Sequence, residues 1–176
     1  MTAADAKTQP SKSPFWQFSI KFYAVPGVAP ACITLQDEAG VDVNLLFFLL
    51  WNASLNRTLT KDEVAELDRT IGVWRNTVVI PLREIRRALK TPPAMLTPDV
   101  AETFRNRIKT AELEAERLQQ EAMYALAQSG RFLGSAPTPV EAARASLTSY
   151  QAILRPFPPQ PLEVVLTAFA NNAGNG

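Results

Sequence analysis

The chain contains no histidine, a single cysteine and only seven glycines. Without histidine there can be no Ser-His or Cys-His nucleophile, no imidazole acid or base, and no His-bearing metal site. The one cysteine, Cys32, closes neither an internal disulfide nor a Cys-only zinc site. Its setting in "APACITL" reads as that of a buried hydrophobe rather than a nucleophile. The glycines are scattered, with no cluster that would cradle a phosphate. A preponderance of one charge is missing too: the net charge is +1, so no global field draws in nucleic acid or acidic lipid. The longest apolar run, Leu45–Trp51, is seven residues, whereas a membrane helix needs about 20. No membrane span is expected. The single cysteine and the lack of a cleavable signal pattern lead to the expectation of a cytoplasmic protein.

What is present is helix punctuation. "SPFW", "TPDV" and "TPVE" each set Ser or Thr before Pro, pairing a capping hydroxyl with a residue suited to the first helical position. "TKDE" and "TPVE" also have the capping-box spacing of Thr and Glu. Ile71, Trp74, Val78, Leu82, Ile85 and Leu89 recur at helical spacings, with Pro81 expected to kink or split that stretch near Ile80. Phe104, Ile108, Ala111, Ala115, Leu118 and Ala122 recur alternately four and three apart, so Thr97–Gln128 reads as one long amphipathic helix with that series as its seam. The stiff connection "TPPAMLTPD" makes an antiparallel hairpin of the two. Helices are expected at 14–24, 28–38, 42–54, 61–73, 75–90, 98–128 and 139–154, with a short last one at 161–171. No segment alternates like a strand. The fold class is all-α, a compact bundle around a buried apolar helix with a long antiparallel helical hairpin. By composition the chain divides into a disordered N-terminus (1–12), a helical core domain (13–129) and a Pro-rich, helical C-terminal extension (130–176). The last helix of that extension either docks on the core or offers an apolar face to a partner, and "NNAGNG" closes a flexible end.

The stretch "QDEAGVDVNLLFFLLW" carries the strongest local signal. Gly40 can end one helix in the left-handed conformation and Asp42 can cap the next, which is apolar nearly all round and belongs in the middle of a bundle. Asp42 and Asn44 then need partners as structural polar groups, because an unpaired buried polar group costs about 1–3 kcal/mol. Arg75 and Arg83 are candidates. "FWQFSIKFYAVPGVAPACITLQDEAGVDVNLLFFLLW", "WRNTVVIPLREIRRALK" and "RIKTAELEAERLQQ" together resemble a proteobacterial conserved-hypothetical family, a domain of unknown function. The resemblance runs over Pro14–Met123 and implies no catalytic residues that could be carried over.

Four constellations remain. Arg83, Arg86, Arg87 and Lys90 lie off the Leu82–Ile85–Leu89 seam and are expected to face solvent. With Arg105, Arg107 and Lys109 near the loop end of the hairpin they would make a positive patch suited to phosphates, against the plainer reading of a solvated face. Glu112 and Glu116 share a helix face, but bundle di-metal sites need Glu-x-x-His pairs and this chain has no histidine, so no metal is expected. The basic Arg105–Lys109 end and the acidic Glu112–Glu121 stretch polarise the helix and could orient a partner or a symmetry mate. Asp37, Glu38 and Asp42 flank Gly40 as a conceivable acid and base, with no nucleophile or oxyanion hole in view. Aromatics such as Phe15, Phe22, Phe48 and Trp51 read as core, with a pocket for an apolar ligand or partner helix as the other option.

The reading is a non-catalytic, small cytoplasmic protein-interaction or regulatory protein with a protein partner, using the charged hairpin face. The alternative is an RNA- or ribosome-associated protein using the same basic residues. A third reading is an enzyme or small-ligand binder at the acidic site. No cofactor is implied, and a homo-oligomer is open.

Overall fold

The computed structural model describes residues 12–173. Apart from Lys12, the N-terminal segment expected to be disordered lies outside them, as do Gly174–Gly176 of the expected flexible end. The architecture is all-α, and the helices come in chain order as α1 (Pro14–Tyr23), α2 (Val28–Ala39), α3 (Val43–Ser54), α4 (Lys61–Trp74), α5 (Ile80–Ala88), α6 (Pro98–Gln128), α7 (Pro139–Gln151) and α8 (Pro159–Ala173).

Caps set several of the starts. Ser13 accepts from the Trp16 N–H, Thr138 accepts from the Glu141 N–H, and Thr60 with Glu63 forms a reciprocal capping box. α2 ends at Gly40, whose φ of 73° is the left-handed conformation that suits a residue without a Cβ.

Helix α3 is the centre. Every residue from Asn44 to Ala53 is buried, and each large apolar side chain there contributes roughly 1.5–3 kcal/mol by leaving water. Around it pack α1, α6 and α7. Phe48 meets Phe15 and Phe132 edge to face, with ring centroids 5.3 and 5.8 Å away. α8 docks on α2 and α7, burying Val165, Leu166 and Phe169 in the same apolar cluster as α3. Cys32 is fully buried there too, and burial pushes its thiol up to about 12.

Two features add to the sequence reading. A two-residue antiparallel ladder, β1 (Arg57–Thr58) with β2 (Gly134–Ser135), ties the end of α3 to the segment before α7. It is too short to show alternation. It needs Gly134, where a Cβ would stand 2.8 Å from the Thr58 carbonyl oxygen. The other is the form of the break expected near Ile80, which separates α4 from α5 without interrupting the helical path. α4 runs into α5 through a π-helical turn, Arg75–Val79, in which the Ile80 N–H reaches back to the Arg75 carbonyl. That wider turn accommodates a proline ring that would clash with the carbonyl four residues earlier in a regular helix.

α7 supplies Leu147 and Tyr150 to the core, both almost wholly buried, so α3 has no cover on that side without it. A chain ended after Ser129 should therefore lose its cooperative thermal transition by circular dichroism and bind hydrophobic dyes.

Candidate functional site

Two polar clusters lie beneath the α5–α6 hairpin. The first is at the mouth of α3. Asp42 Oδ1 accepts from the Asn44 and Leu45 N–H groups at 2.8 and 3.1 Å. Its Oδ2 accepts from Gln119 Nε2 at 2.8 Å and from Arg75 Nη1 at 3.2 Å. The Asp42 N–H donates to the Tyr150 hydroxyl at 2.9 Å, and Arg75 also reaches Asp68 at 2.6 Å. Asn44 accepts from Gln120 Nε2 at 2.7 Å. Burial, and after it the neighbouring Asp42 carboxylate, raises the Tyr150 phenol well above its usual value. For Arg75, burial is outweighed by the hydrogen bond to Asp68 and the two carboxylate charges, so its pKa rises.

The second cluster joins α2, α5 and α6. Arg83 bonds Glu112 at 3.1 Å, Glu116 at 2.8 Å and Gln36 at 2.6 Å. Arg86 grips both oxygens of Glu112. Arg87 meets Asp37 at 3.3 Å in an exposed pair. Burial works against the Glu112 carboxylate, but the hydrogen bonds and charges of Arg86 and Arg83 outweigh it and lower its pKa. Glu116 goes the other way, raised chiefly by burial.

The basic residues therefore do not form one exposed patch. Arg83 and Arg86, expected on a solvent-facing surface, turn inward because Glu112 and Glu116 present carboxylates there. Arg105 pairs with Glu102 of its own helix. Among the described residues, Lys90, Arg107 and Lys109 make no ion pair. At about 100° per residue, Arg107 and Lys109 point to nearly opposite sides of α6. Of the two arginines expected to reach Asp42, Arg75 does and Arg83 does not.

Sequence reasoning missed Asp68, Gln36, Gln119 and Gln120. It also misplaced the seam of α6. The core-facing stripe runs through Glu112, Ala115, Gln119 and Met123, all buried, whereas Phe104, Ala111, Leu118 and Ala122 are exposed. The spacing of Glu112, Ala115, Gln119 and Met123 is as helical as that of the apolar series. It goes unseen when only apolar residues are counted.

A broad open groove of about 860 Å³ lies elsewhere, between Val25–Pro26 and α8, lined by Val164 and Ala168 among others. It touches neither cluster. No single helix among the described residues is long and apolar enough to cross a membrane.

Against this geometry, a family model described as a protein of unknown function (DUF2390) matches residues 14–123. That span covers both polar clusters except Tyr150 and stops short of α7 and α8. No curated protein and no solved structure matches the chain.

The opposite shifts of Glu112 and Glu116 give opposite signs of pH dependence. A lowered carboxyl pKa stabilises the fold above the unfolded value and loses that contribution as pH falls through the folded value. A raised one stabilises in acid and loses that contribution as pH rises through the folded value. Glu112→Gln should cost about 2 kcal/mol at neutral pH by depriving Arg86 of its carboxylate and Arg83 of one of its two. Urea titration at about pH 3.5, near the ordinary carboxylate range, should show that cost reduced. Glu116→Gln should be neutral or stabilising at neutral pH. An Arg-to-Glu112 network that is merely decorative would give Glu112→Gln no cost at either pH.

Proposed function

The chain belongs to the DUF2390 family, and we propose that it is a non-catalytic, cytoplasmic interaction or regulatory protein whose α5–α6 hairpin is the docking surface for a protein partner. One observation carries this reading: the hairpin stands outside the apolar core. Between Gly72 and Ala122 no residue belongs to the buried cluster around α3, and α5 buries no residue at all. A segment of this length that contributes little to the core, yet exposes Ile85, Met95, Val100 and Phe104, presents the kind of apolar surface that marks interaction sites.

In this reading Lys90, Arg107 and Lys109, which make no ion pair among the described residues, are the cations open to a partner, on different sides of the hairpin, while Arg87 and Arg105 are held by Asp37 and Glu102. Arg83 and Arg86 instead fasten the hairpin to the body. The acidic site offers less support for catalysis, since Asp42 is engaged by its cap and by Arg75, and Asp37 by Arg87. The RNA or ribosome reading draws on the same three cations, which have no ion pair among the described residues. It is weakened because Glu112 and Glu116 neutralise the strongest part of the expected basic cluster.

Affinity capture of the tagged full chain from its own lysate, with and without nuclease, separates these readings. Protein partners that survive nuclease, and are lost from a Lys90→Glu, Met95→Asp double variant, are the expected result. Identical partners on the variant would remove the hairpin from the interaction. Partners lost on nuclease treatment, with binding that falls steeply between about 50 and 200 mM salt, would favour nucleic acid.

A further inference from the structure

The apolar repeat along α6 is only half used by this chain. Ala115 is buried and Ile108 partly so, but Val100, Phe104 and Leu118 keep 57%, 48% and 44% of their surface exposed, with Ala111 exposed between them and Ala122 exposed one turn beyond. At about 100° per residue these five positions fall within about 40° of one another. The buried Gln120, Met123 and Ala127 lie on the opposite side of the helix. The stripe is thus the outward face of α6, and from Val100 to Ala122 it runs about 33 Å at ~1.5 Å per residue. Trp74 borders it: its Nε1 donates to the Ala115 carbonyl at 3.0 Å and 37% of the residue remains exposed. On the flank away from Trp74 stand Arg107 and Glu114, seven residues apart and so at nearly the same angle. Arg107 makes no ion pair among the described residues, and the Glu114 side chain, paired with Arg117, is 54% exposed.

We propose that this outward face seats a second copy of the same chain, the two α6 helices packing antiparallel about a two-fold axis at Ala111. The inference rests on reading the hairpin as an interaction surface, and it names a partner for it. With the axis at Ala111, Phe104 of one copy lies across from Leu118 of the other, and Val100 across from Ala122. The alanine at the axis lets the helices approach closely. Arg107 of each copy falls beside Glu114 of the other, so the flanking charges are self-complementary. Parallel two-fold packing would instead put the two Arg107–Glu114 flanks on opposite sides of the seam, where neither pair could form. The repeat of four and three is that of a helix–helix seam, and a second copy supplies the facing side that α5 leaves open. The two-fold pairing is isologous and closes on itself, with no growth into filaments.

Sedimentation equilibrium of the full chain over a wide concentration range is the test. The expected result is a reversible dimer that Ala111→Arg or Leu118→Glu converts to monomer, with the circular dichroism spectrum and cooperative melting of the monomer retained. Arg107→Glu should weaken dimerisation about tenfold, by turning an attractive exposed pair into a repulsive one. Combining it with Glu114→Arg should restore the wild-type constant. A wild-type chain monomeric at every concentration overturns the proposal, as does a dimer indifferent to Ala111→Arg. A monomer that still captures a partner through the hairpin would defeat this inference alone. A dimer that captures nothing else would leave it standing and defeat the separate protein partner.

Discussion

The carboxylate of Asp42 is the point on which the arrangement of helices turns. α3 is apolar on every side and so can exist only when surrounded, yet the chain must enter it through polar backbone groups that need partners. Asp42 satisfies two of those groups with one oxygen and gathers Arg75 and Gln119 with the other, while its own N–H goes to Tyr150. The π-helical turn, α6 and α7 therefore all meet at one residue. Each of these contacts spans between 33 and 108 residues of sequence. The apolar cluster alone would tolerate sliding of one helix along another. A carboxylate with directional bonds to separate elements does not, and it fixes their register.

Glu112 performs a comparable task for the hairpin. Two arginines from α5 converge on a carboxylate that is 7% exposed, and Arg83 continues to Gln36 at the end of α2. Replacing such a group by an apolar one would not be straightforward, because Arg86 would be left in a partly dry interface without a partner and Arg83 with Glu116 and Gln36 alone. The hairpin is therefore held by charge more than by area. That suits a segment whose apolar side chains are turned outward.

Much of this was legible in the sequence where the deciding forces are local. Ser13, Thr60 and Thr138 act on residues three positions away, so the helix starts could be read from short patterns. The run Leu45–Trp51 has no exposed solution in a chain lacking a membrane-length segment. The all-α class followed from signals of the same kind, whereas the family resemblance over Pro14–Met123 was carried by the longer stretches themselves. The orientation of α6 did not, because Gln119 and Gln120 are buried only by virtue of Asp42 and Asn44, some 76 or 77 residues earlier. For the same reason Arg83 and Arg86 could not be told from surface residues, since their solvation depends on where Glu112 lands. The β1–β2 ladder rests on two residues per strand and a close backbone approach at Gly134, which leave no periodic trace.

The π-helical turn also has a bearing on how this chain can change length. Arg75 and Arg83 are eight residues apart, whereas Gln119 and Glu112, beside which they sit, are seven apart, a spacing of nearly two regular turns. A π-turn absorbs about one extra residue, so the eight-residue interval behaves as seven and both arginines arrive in phase with α6. The segment Asn76–Val79 is thus a one-residue slack in an otherwise rigid gear. Loss of one residue there would keep both ion clusters in phase with α6, at the cost of returning Pro81 to a regular helix where its ring meets the carbonyl four residues earlier. The same deletion between Arg83 and Arg86 would throw the teeth out of step by about a quarter turn.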